Sequence, residues 1–276
     1  MKTALLQICS GDDPATNLTE TQNRVAEAAA GGARFVLTPE VTNCVSSSRT
    51  HQRSVLQHED EDQTLAALRA QASELDIWLL IGSLALKTHD DDGRFANRSF
   101  LIDPSGGIVA RYDKIHMFDV AVTEAETYKE SDGYRPGSRA VVASTPFGPV
   151  GMTICYDLRF PKLFNALADA GARILTVPAA FSTVTGKAHW TPLLRARAIE
   201  TGCWVLAPAQ CGTHAITRGR QRRTYGHSLV VSPWGELVVD GGEAPGIHFF
   251  DLDDTQVDAA RQRVPSLANA RRFDGP

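Results

Sequence analysis

The chain has 276 residues, of which 43% are hydrophobic, so it is long enough to bury a large core. Its formal net charge is −4. This charge disfavours a general nucleic-acid or membrane-surface role, since both favour an excess of basic residues. No apolar stretch reaches the roughly 20 residues that a membrane-spanning helix requires. The composition therefore predicts a soluble protein with neither nucleic acid nor membrane as a partner.

Five cysteines are scattered along the chain, at positions 9, 44, 155, 203 and 211. Their odd number and wide spacing are typical of free thiols in a reducing compartment. No C-x-x-C pair supports a structural zinc site. The apolar run at residues 4–8 is shorter than the hydrophobic region of a secretory signal. We therefore expect a cytoplasmic protein with no metal and no cofactor.

Apolar segments typical of β-strands recur along the whole chain. They cover residues 4–8, 35–37, 77–86, 99–102, 108–112, 140–143, 150–155, 174–177, 204–208, 228–231, 236–239 and 247–252. Most are continuously apolar, which is typical of strands covered on both faces.

Four helical patterns lie between these strands, and glycine ends the first, the third and the fourth. They cover residues 18–30, an apolar stripe over 65–75, a helix from Pro161 to Gly171, and a stripe over 193–199. Pro192 is compatible with the last helix only in its first turn, where its missing N–H is not needed. Later strands are joined by tight turns. The pattern predicts one α/β (α+β) domain over residues 1–276, with mixed sheets shielded by helices.

The sharpest local feature is Cys155, at the end of the predicted strand 150–155 and shortly before the helix that Pro161 opens. A strand, a turn and a helix in this order are typical of a nucleophile elbow, whose backbone N–H groups can hold an oxyanion. Helix dipoles and a nearby cation would favour the thiolate. The alternative is a buried structural cysteine.

Two further strands end on residues that suit the same chemistry. Glu40 follows Pro39, which ends strand pairing, and partial burial would raise its pKa to that of a general base. Lys114 follows the strand 108–112 and could stabilise an oxyanion. Alone, each could be an ordinary surface residue. Three such residues at strand ends together predict an active site.

Three segments around these residues, 37–40 (LTPE), 112–119 (YDKIHMFD) and 153–161 (TICYDLRFP), resemble the signature segments of the nitrilase, or carbon–nitrogen hydrolase, superfamily. The similarity continues through residues 185–190, 194–200, 225–228 and 233–235, so it covers essentially the whole chain. It is greatest for the Nit branch, which contains omega-amidases and the amidases of deaminated glutathione.

The resemblance implies a four-layer αββα sandwich that assembles as a homodimer or a higher homo-oligomer. It also implies that Cys155 forms a thioester, that Glu40 is the base and that Lys114 holds the oxyanion. The backbone N–H of Tyr156 would complete the oxyanion hole.

A second glutamate that positions the lysine and the substrate would be Glu130, with Glu124 and Glu126 as competing positions. The other expected oxyanion or substrate-binding residues are His116, Phe181, Thr183 and Arg159. In the segment 217–224, arginines at 218, 220, 222 and 223 could bind a substrate carboxylate, or could belong to a solvated loop.

The predicted reaction is hydrolysis of a small carboxylate-bearing carboxamide, such as deaminated glutathione or a similar 2-oxo acid amide, to the acid and ammonia. Alternatives are an omega-amidase, an N-carbamoyl amino acid hydrolase or a nitrilase. A non-enzymatic scaffold is disfavoured because all three catalytic positions are occupied. The absence of GxGxxG and GxSxG motifs disfavours a Rossmann oxidoreductase and a serine hydrolase.

Overall fold

The computed structural model describes residues 1–122 and 127–275. In these ranges the strands are β1 (Lys2–Gln7), β2 (Phe35–Leu37), β3 (Trp78–Leu86), β4 (Ala96–Ile102), β5 (Ile108–Asp113), β6 (Asp119–Ala121), β7 (Thr127–Lys129), β8 (Val141–Ala143), β9 (Val150–Met152), β10 (Ile174–Thr176), β11 (Trp204–Ala207), β12 (Cys211–Thr213), β13 (Arg223–Tyr225), β14 (Leu229–Val231), β15 (Leu237–Asp240) and β16 (Gly246–Asp251). The helices are α1 (Pro14–Ala30), α2 (Arg49–Val55), α3 (Gln63–Glu74), α4 (Pro161–Asp169), α5 (Thr183–Thr201), α6 (Thr255–Arg263) and α7 (Ser266–Asn269).

Two six-stranded mixed sheets form the centre of the fold. The first has the order β16-β1-β2-β3-β4-β5 and the second the order β15-β14-β11-β10-β9-β8. Each has three adjacent parallel strands, β1-β2-β3 or β9-β10-β11, flanked by antiparallel strands on both sides. The two sheets therefore share one design, although the sequence contains no recognisable internal repeat.

The alternating side chains of the strands divide between two cores. In β1, Leu5 faces the core between the sheets, while Ala4 and Leu6 face the core beneath α1 and α3. Helices α4 and α5 cover the outer face of the second sheet. The order is thus helices, sheet, sheet, helices, which confirms the four-layer αββα sandwich and explains why the strands are apolar on both faces.

The helix boundaries follow local signals, with one exception. Asp13 caps α1 by accepting from the Thr16 N–H, and Pro161 opens α4. The expectation that Pro192 lies in a first turn is wrong, because α5 begins at Thr183. Pro192 and Ala188, whose carbonyl loses its N–H partner, are both exposed, so water can satisfy that carbonyl.

Strand direction explains how the two predicted site residues of the first sheet meet. Because β4 runs antiparallel to both β3 and β5, β5 points the same way as β3 and its parallel neighbour β2. Glu40 follows the end of β2 and Lys114 follows the end of β5. Both side chains therefore start from the same edge of the sheet.

An irregularity of β3 within residues 81–84 fixes the segment that follows β2. The Gly82 N–H donates to Thr38 Oγ1, and the Ser83 N–H donates to the Pro39 carbonyl. These two hydrogen bonds hold the backbone immediately before Glu40, the carboxylate that the sequence predicts as the base.

In the described ranges, no helix is both long enough and apolar enough to cross a membrane.

Gly82 is required here by the closeness of the neighbouring backbone. A Cβ added at this position would overlap the Thr38 carbonyl and lie 2.5 Å from the Pro39 carbonyl oxygen and 2.6 Å from Pro178 Cβ. We predict that Gly82→Ala destabilises the protein by at least about 2 kcal/mol, because packed backbone must move. Chemical denaturation measures this change.

The matched control is Gly246→Ala, in the same sheet, where the added methyl would meet only the movable His248 ring at 3.2 Å. Its free energy of unfolding should change by less than about 0.5 kcal/mol. Equal losses for the two variants would contradict the steric argument.

Candidate active site

Lys114 is the centre of a buried charge cluster. Its Nζ lies 2.9 Å from Glu40 Oε1, and 2.9 and 2.8 Å from the two carboxylate oxygens of Glu130. The side chains of Lys114, Glu40 and Glu130 are only 2%, 5% and 14% exposed. Cys155 lines one cavity together with them, close enough to Glu40 and Lys114 for the three groups to influence one another's pKa. The structure thus brings the four predicted catalytic residues together.

Cys155 lies on a sharp turn between the two elements that flank it. Strand β9 ends at Met152, three residues earlier than the cysteine, and a 3₁₀ turn over Cys155–Arg159 leads to α4. Cys155 has φ of +48°, a conformation that is unfavourable for a residue with a side chain. Its N–H donates to the Pro178 carbonyl at 2.9 Å. This backbone directs the thiol into the cavity.

Both carboxylates are held by donors from other elements. Glu40 Oε2 accepts the Ala180 N–H at 2.8 Å, and Oε1 accepts the side-chain amide of Asn97 at 2.9 Å. Glu130 follows the hairpin of β6 and β7 and accepts the Phe118 N–H at 2.7 Å. The competing positions 124 and 126 lie outside the described residues.

Burial and opposite charges set the protonation states of the ion pairs. Burial alone would lower the pKa of Lys114, but the Glu130 and Glu40 carboxylates hold that pKa well above its ordinary value. Burial would raise the pKa of Glu40, but the Lys114 ammonium holds it below its usual range. The prediction of a raised Glu40 pKa is therefore wrong, because this carboxylate is buried against a cation.

The Cys155 sulfur is a neutral thiol at physiological pH. Burial raises the pKa of this thiol well above its ordinary value, and the Glu40 carboxylate adds to the effect. The Lys114 charge acts in the opposite direction without outweighing them. The sequence-based expectation of a favoured thiolate is wrong, because the sulfur faces a carboxylate as well as an ammonium.

Asp157 ties the cysteine turn to the segment that carries Lys114. Its buried carboxylate accepts the Ile154 N–H at 2.8 Å, the Tyr112 hydroxyl at 2.7 Å, and the N–H and Nδ1 of His116 at 3.0 and 2.7 Å. Ile154 precedes the cysteine, and Tyr112 and His116 flank the lysine. Asp157 therefore fixes the segments that carry Cys155 and Lys114 relative to each other across the two sheets.

The charge cluster forms the floor of a cavity of about 290 Å³. Tyr156 and Phe181 line this cavity, as the sequence predicts. The other three expected pocket residues do not. His116 stacks on Phe160 with ring centres 3.5 Å apart and bonds to Asp157, Thr183 begins α5, and Arg159 contacts His189 at 3.3 Å.

Three residues of the site are not among those that the sequence predicts, namely Asn97, Asp157 and Arg49. Asn97 is a polar interruption of an apolar strand, and the predicted strand began only at residue 99. Asp157 stood in a quoted signature segment without an assigned role. Arg49 opens a helix that was not predicted, and it lines the cavity. Over residues 1–122 and 127–275, no cluster of three or more His, Cys, Asp or Glu side chains could hold a metal ion.

The chain is similar to known proteins over nearly its whole length. The model of the carbon–nitrogen hydrolase family matches residues 2–262. A deaminated glutathione amidase of Yersinia enterocolitica is 40% identical over 269 residues, which are 97% of this chain and 92% of the relative. Among solved structures, Saccharomyces cerevisiae Nit3, a member of branch 10 of the nitrilase superfamily, has a TM-score of 0.86 and 29% identity, covering 99% of this chain and 97% of its own.

The NitFhit protein of C. elegans has a TM-score of 0.89 and 33% identity. The match covers 98% of this chain but 65% of NitFhit, so this chain spans less than two thirds of that protein. The chain belongs to the carbon–nitrogen hydrolase family, as its signature segments predict. It is a hydrolase of carbon–nitrogen bonds other than peptide bonds.

Replacement of Asp157 tests its positioning role. Asp157→Asn keeps the shape but faces its donors with an amide N–H₂, which leaves buried donors unsatisfied. We predict a loss of about 2–4 kcal/mol in stability. We also predict a fall in kcat for amide hydrolysis of at least about 10-fold with a smaller change in KM.

The control is Asp169→Asn at the exposed end of α4, which should change neither quantity. If Asp157→Asn lowered stability but left kcat unchanged, Asp157 would be structural only.

Proposed function

We propose that this protein is a cysteine amidase that hydrolyses a small carboxylate-bearing amide, with deaminated glutathione as its substrate. The observation that carries the proposal is the convergence of a thiol, a carboxylate and an ammonium group on the floor of one cavity. These are the groups that nucleophilic acyl transfer requires. The Yersinia enterocolitica relative, 40% identical over nearly the whole chain, supports the choice of substrate.

In the first half-reaction Cys155 attacks the amide carbon. Because the thiol is neutral at rest, Glu40 takes its proton while the carbon–sulfur bond forms. The carbonyl oxygen becomes an oxyanion, held by the Lys114 ammonium and by the Tyr156 N–H at the start of the 3₁₀ turn. The carbon–nitrogen bond then breaks, and the protonated Glu40 gives its proton to the departing nitrogen.

In the second half-reaction water hydrolyses the thioester. Glu40, again a carboxylate, takes a proton from water as its oxygen attacks the acyl carbon. The same two donors hold the new oxyanion. When the carbon–sulfur bond breaks, the acid leaves and the sulfur recovers its proton from Glu40. Glu130 acts by fixing the Lys114 Nζ, which it contacts through both carboxylate oxygens.

The leaving group depends on the amide. A primary carboxamide such as 2-oxoglutaramate would release ammonia. In deaminated glutathione the amide nitrogen belongs to cysteinylglycine, so hydrolysis would release 2-oxoglutarate and that dipeptide, and the expectation of ammonia as the product is wrong for this substrate. For this substrate an assay that detects only ammonia would miss the reaction.

We also propose that residues 1–276 form one domain that assembles as a homo-oligomer in the cytoplasm. Five free cysteines support a reducing location. Exposed apolar side chains on and near β15 support assembly, since such a patch favours a protein interface. They are Ile199, Trp234, Leu237, Val238 and Val264.

A panel of substrates tests the proposed activity. We predict that kcat/KM is highest for deaminated glutathione, lower for 2-oxoglutaramate, and lowest for an N-carbamoyl amino acid and a nitrile. Release of 2-oxoglutarate, ammonia and carboxylic acid is measured for each compound. A preference for 2-oxoglutaramate would make the protein an omega-amidase, and a preference for the carbamoyl compound would make it a carbamoylase.

Two variants serve as controls in the same assay. Cys155→Ser should abolish turnover of every compound, and Lys114→Gln should reduce it by about 10²–10³-fold because it removes an oxyanion donor. Substantial amidase activity in Cys155→Ser would exclude Cys155 as the nucleophile.

The shifted pKa values of Glu40, Lys114 and Cys155 predict that activity changes little with pH around neutrality. Glu40 must be ionised, and its pKa lies below the usual range, so activity is lost only at acid pH below that range. The pKa values of Lys114 and Cys155 lie well above their ordinary values, so activity should not fall on the alkaline side near neutral pH. For a neutral amide, kcat/KM should be constant between about pH 6 and about pH 8.5. An acid limb within that interval would show a raised Glu40 pKa and contradict the assignment.

A further inference from the structure

The charges of the cavity floor do not suit an anionic substrate by themselves. Glu40 and Glu130 contribute two negative charges and Lys114 one positive charge, while Cys155 is neutral. The floor therefore carries a net charge of −1, which would repel a carboxylate. A substrate that bears carboxylates needs cations elsewhere on the wall.

Arg222 is one such cation. It lines the cavity, precedes β13, and donates from Nη2 to the Ala180 carbonyl. The N–H of the same Ala180 donates to Glu40. The backbone of one residue, Ala180, therefore links the Arg222 guanidinium to the proposed base. The Arg222 guanidinium also lies 6.0 Å from the centre of the Tyr128 ring.

Arg49 is another cation of the wall, and buried neighbours hold it in place, whereas Lys129, which also lines the cavity, is largely exposed and lies 3.6 Å from Asp132. Its Nη1 donates to Gln52 Oε1 at 2.9 Å, and Gln52 Nε2 donates to the Tyr134 hydroxyl at 2.7 Å. The guanidinium lies 5.1 Å from the centre of the Tyr134 ring. Gln52 and Tyr134 are 1% and 7% exposed, so the support of Arg49 is rigid.

Within residues 1–122 and 127–275, neither arginine forms an ion pair with a carboxylate. By contrast, Arg98 binds both Glu59 and Asp113, and Arg173 binds both Asp254 and Asp258. The acceptors on Arg49 and Arg222 are neutral oxygens, which orient a guanidinium without neutralising it. Two oriented guanidinium groups in one cavity, neither of them in an ion pair with a carboxylate of the described residues, fit carboxylate ligands.

We propose that Arg49 and Arg222 are the specificity residues of this enzyme and that each binds one carboxylate of the substrate. The inference rests on the proposed function in that the amide must enter this cavity. Deaminated glutathione suits the pair because it carries one carboxylate on the acyl half and one on the leaving half. An amide with one carboxylate, such as 2-oxoglutaramate, engages one of the two arginines.

The test compares Arg49→Gln and Arg222→Gln on deaminated glutathione, on 2-oxoglutaramate and on neutral hexanamide. For each variant, kcat/KM for deaminated glutathione relative to hexanamide should fall about 10- to 100-fold, mainly through KM. Only one of the two variants should lose activity comparably on 2-oxoglutaramate. Arg49→Lys and Arg222→Lys should fall in between, because lysine keeps the charge but not the bidentate geometry.

The matched control is Arg223→Gln. Arg223 is the exposed neighbour of Arg222 and lies 3.8 Å from Glu243, so the substrate ratio should not change. Arg222→Gln should also move the acid limb of the hexanamide profile to higher pH, since the Arg222 charge helps to lower the pKa of Glu40. Thermal unfolding checks that each variant is folded.

The outcomes separate the two proposals. If the wild-type protein hydrolyses none of the three amides, the proposed function fails. If it hydrolyses them and neither glutamine variant changes the ratio, the carboxylate assignment is overturned. A loss on deaminated glutathione in only one variant would overturn the one-to-one pairing.

Discussion

The structure depends on one buried ammonium group held between two carboxylates. Removing charges from water costs several kcal/mol per ion, and only close partners offset that cost. Lys114 has such partners in Glu40 and Glu130, which come from opposite sides of it in sequence. Loss of either carboxylate would leave a buried charge incompletely paired. The loop after β2, the end of β5 and the segment after β7 are therefore held together by the same interaction that defines the site.

The two-sheet architecture explains why the site lies where it does. Glu40 and Lys114 extend from one edge of the first sheet, whereas Cys155 extends from the end of a strand in the second. Because the two sheets pack face to face, the Cys155 sulfur lies next to the Glu40 carboxylate, and both are held by strand ends of the packed sheets. Asp157, which lies in the cysteine turn, then joins the two sides through three hydrogen bonds, one from Tyr112 and two from His116. A large shared core between the sheets keeps these distances fixed.

Much of this arrangement can be predicted from the sequence, and the failures share one cause. Continuous apolar runs give the buried strands because burial on both faces leaves a local signal. The roles of Asn97 and Arg49 leave no such signal, since they depend on partners that are distant in the chain. The protonation of Cys155 and Glu40 was misjudged for the same reason: each pKa is set by which charges face it after folding. The expected position of Pro192 in a first turn is wrong for a related reason. A helix tolerates an internal proline where the carbonyl that loses its partner, here that of Ala188, is exposed to water, and this exposure is a property of the folded chain.

The neutral thiol of Cys155 has a consequence for the lifetime of the enzyme. Peroxides and electrophiles attack the thiolate form of cysteine, and attack requires access to the sulfur. Here Cys155 is only 7% exposed, and the raised pKa of its thiol keeps the proton on the sulfur at rest. In the proposed mechanism this proton moves to Glu40 only when the sulfur begins to bond to the carbonyl carbon of a bound amide. We therefore expect the free enzyme to resist oxidation at Cys155, and the proposed nucleophile to become reactive only when a substrate is bound.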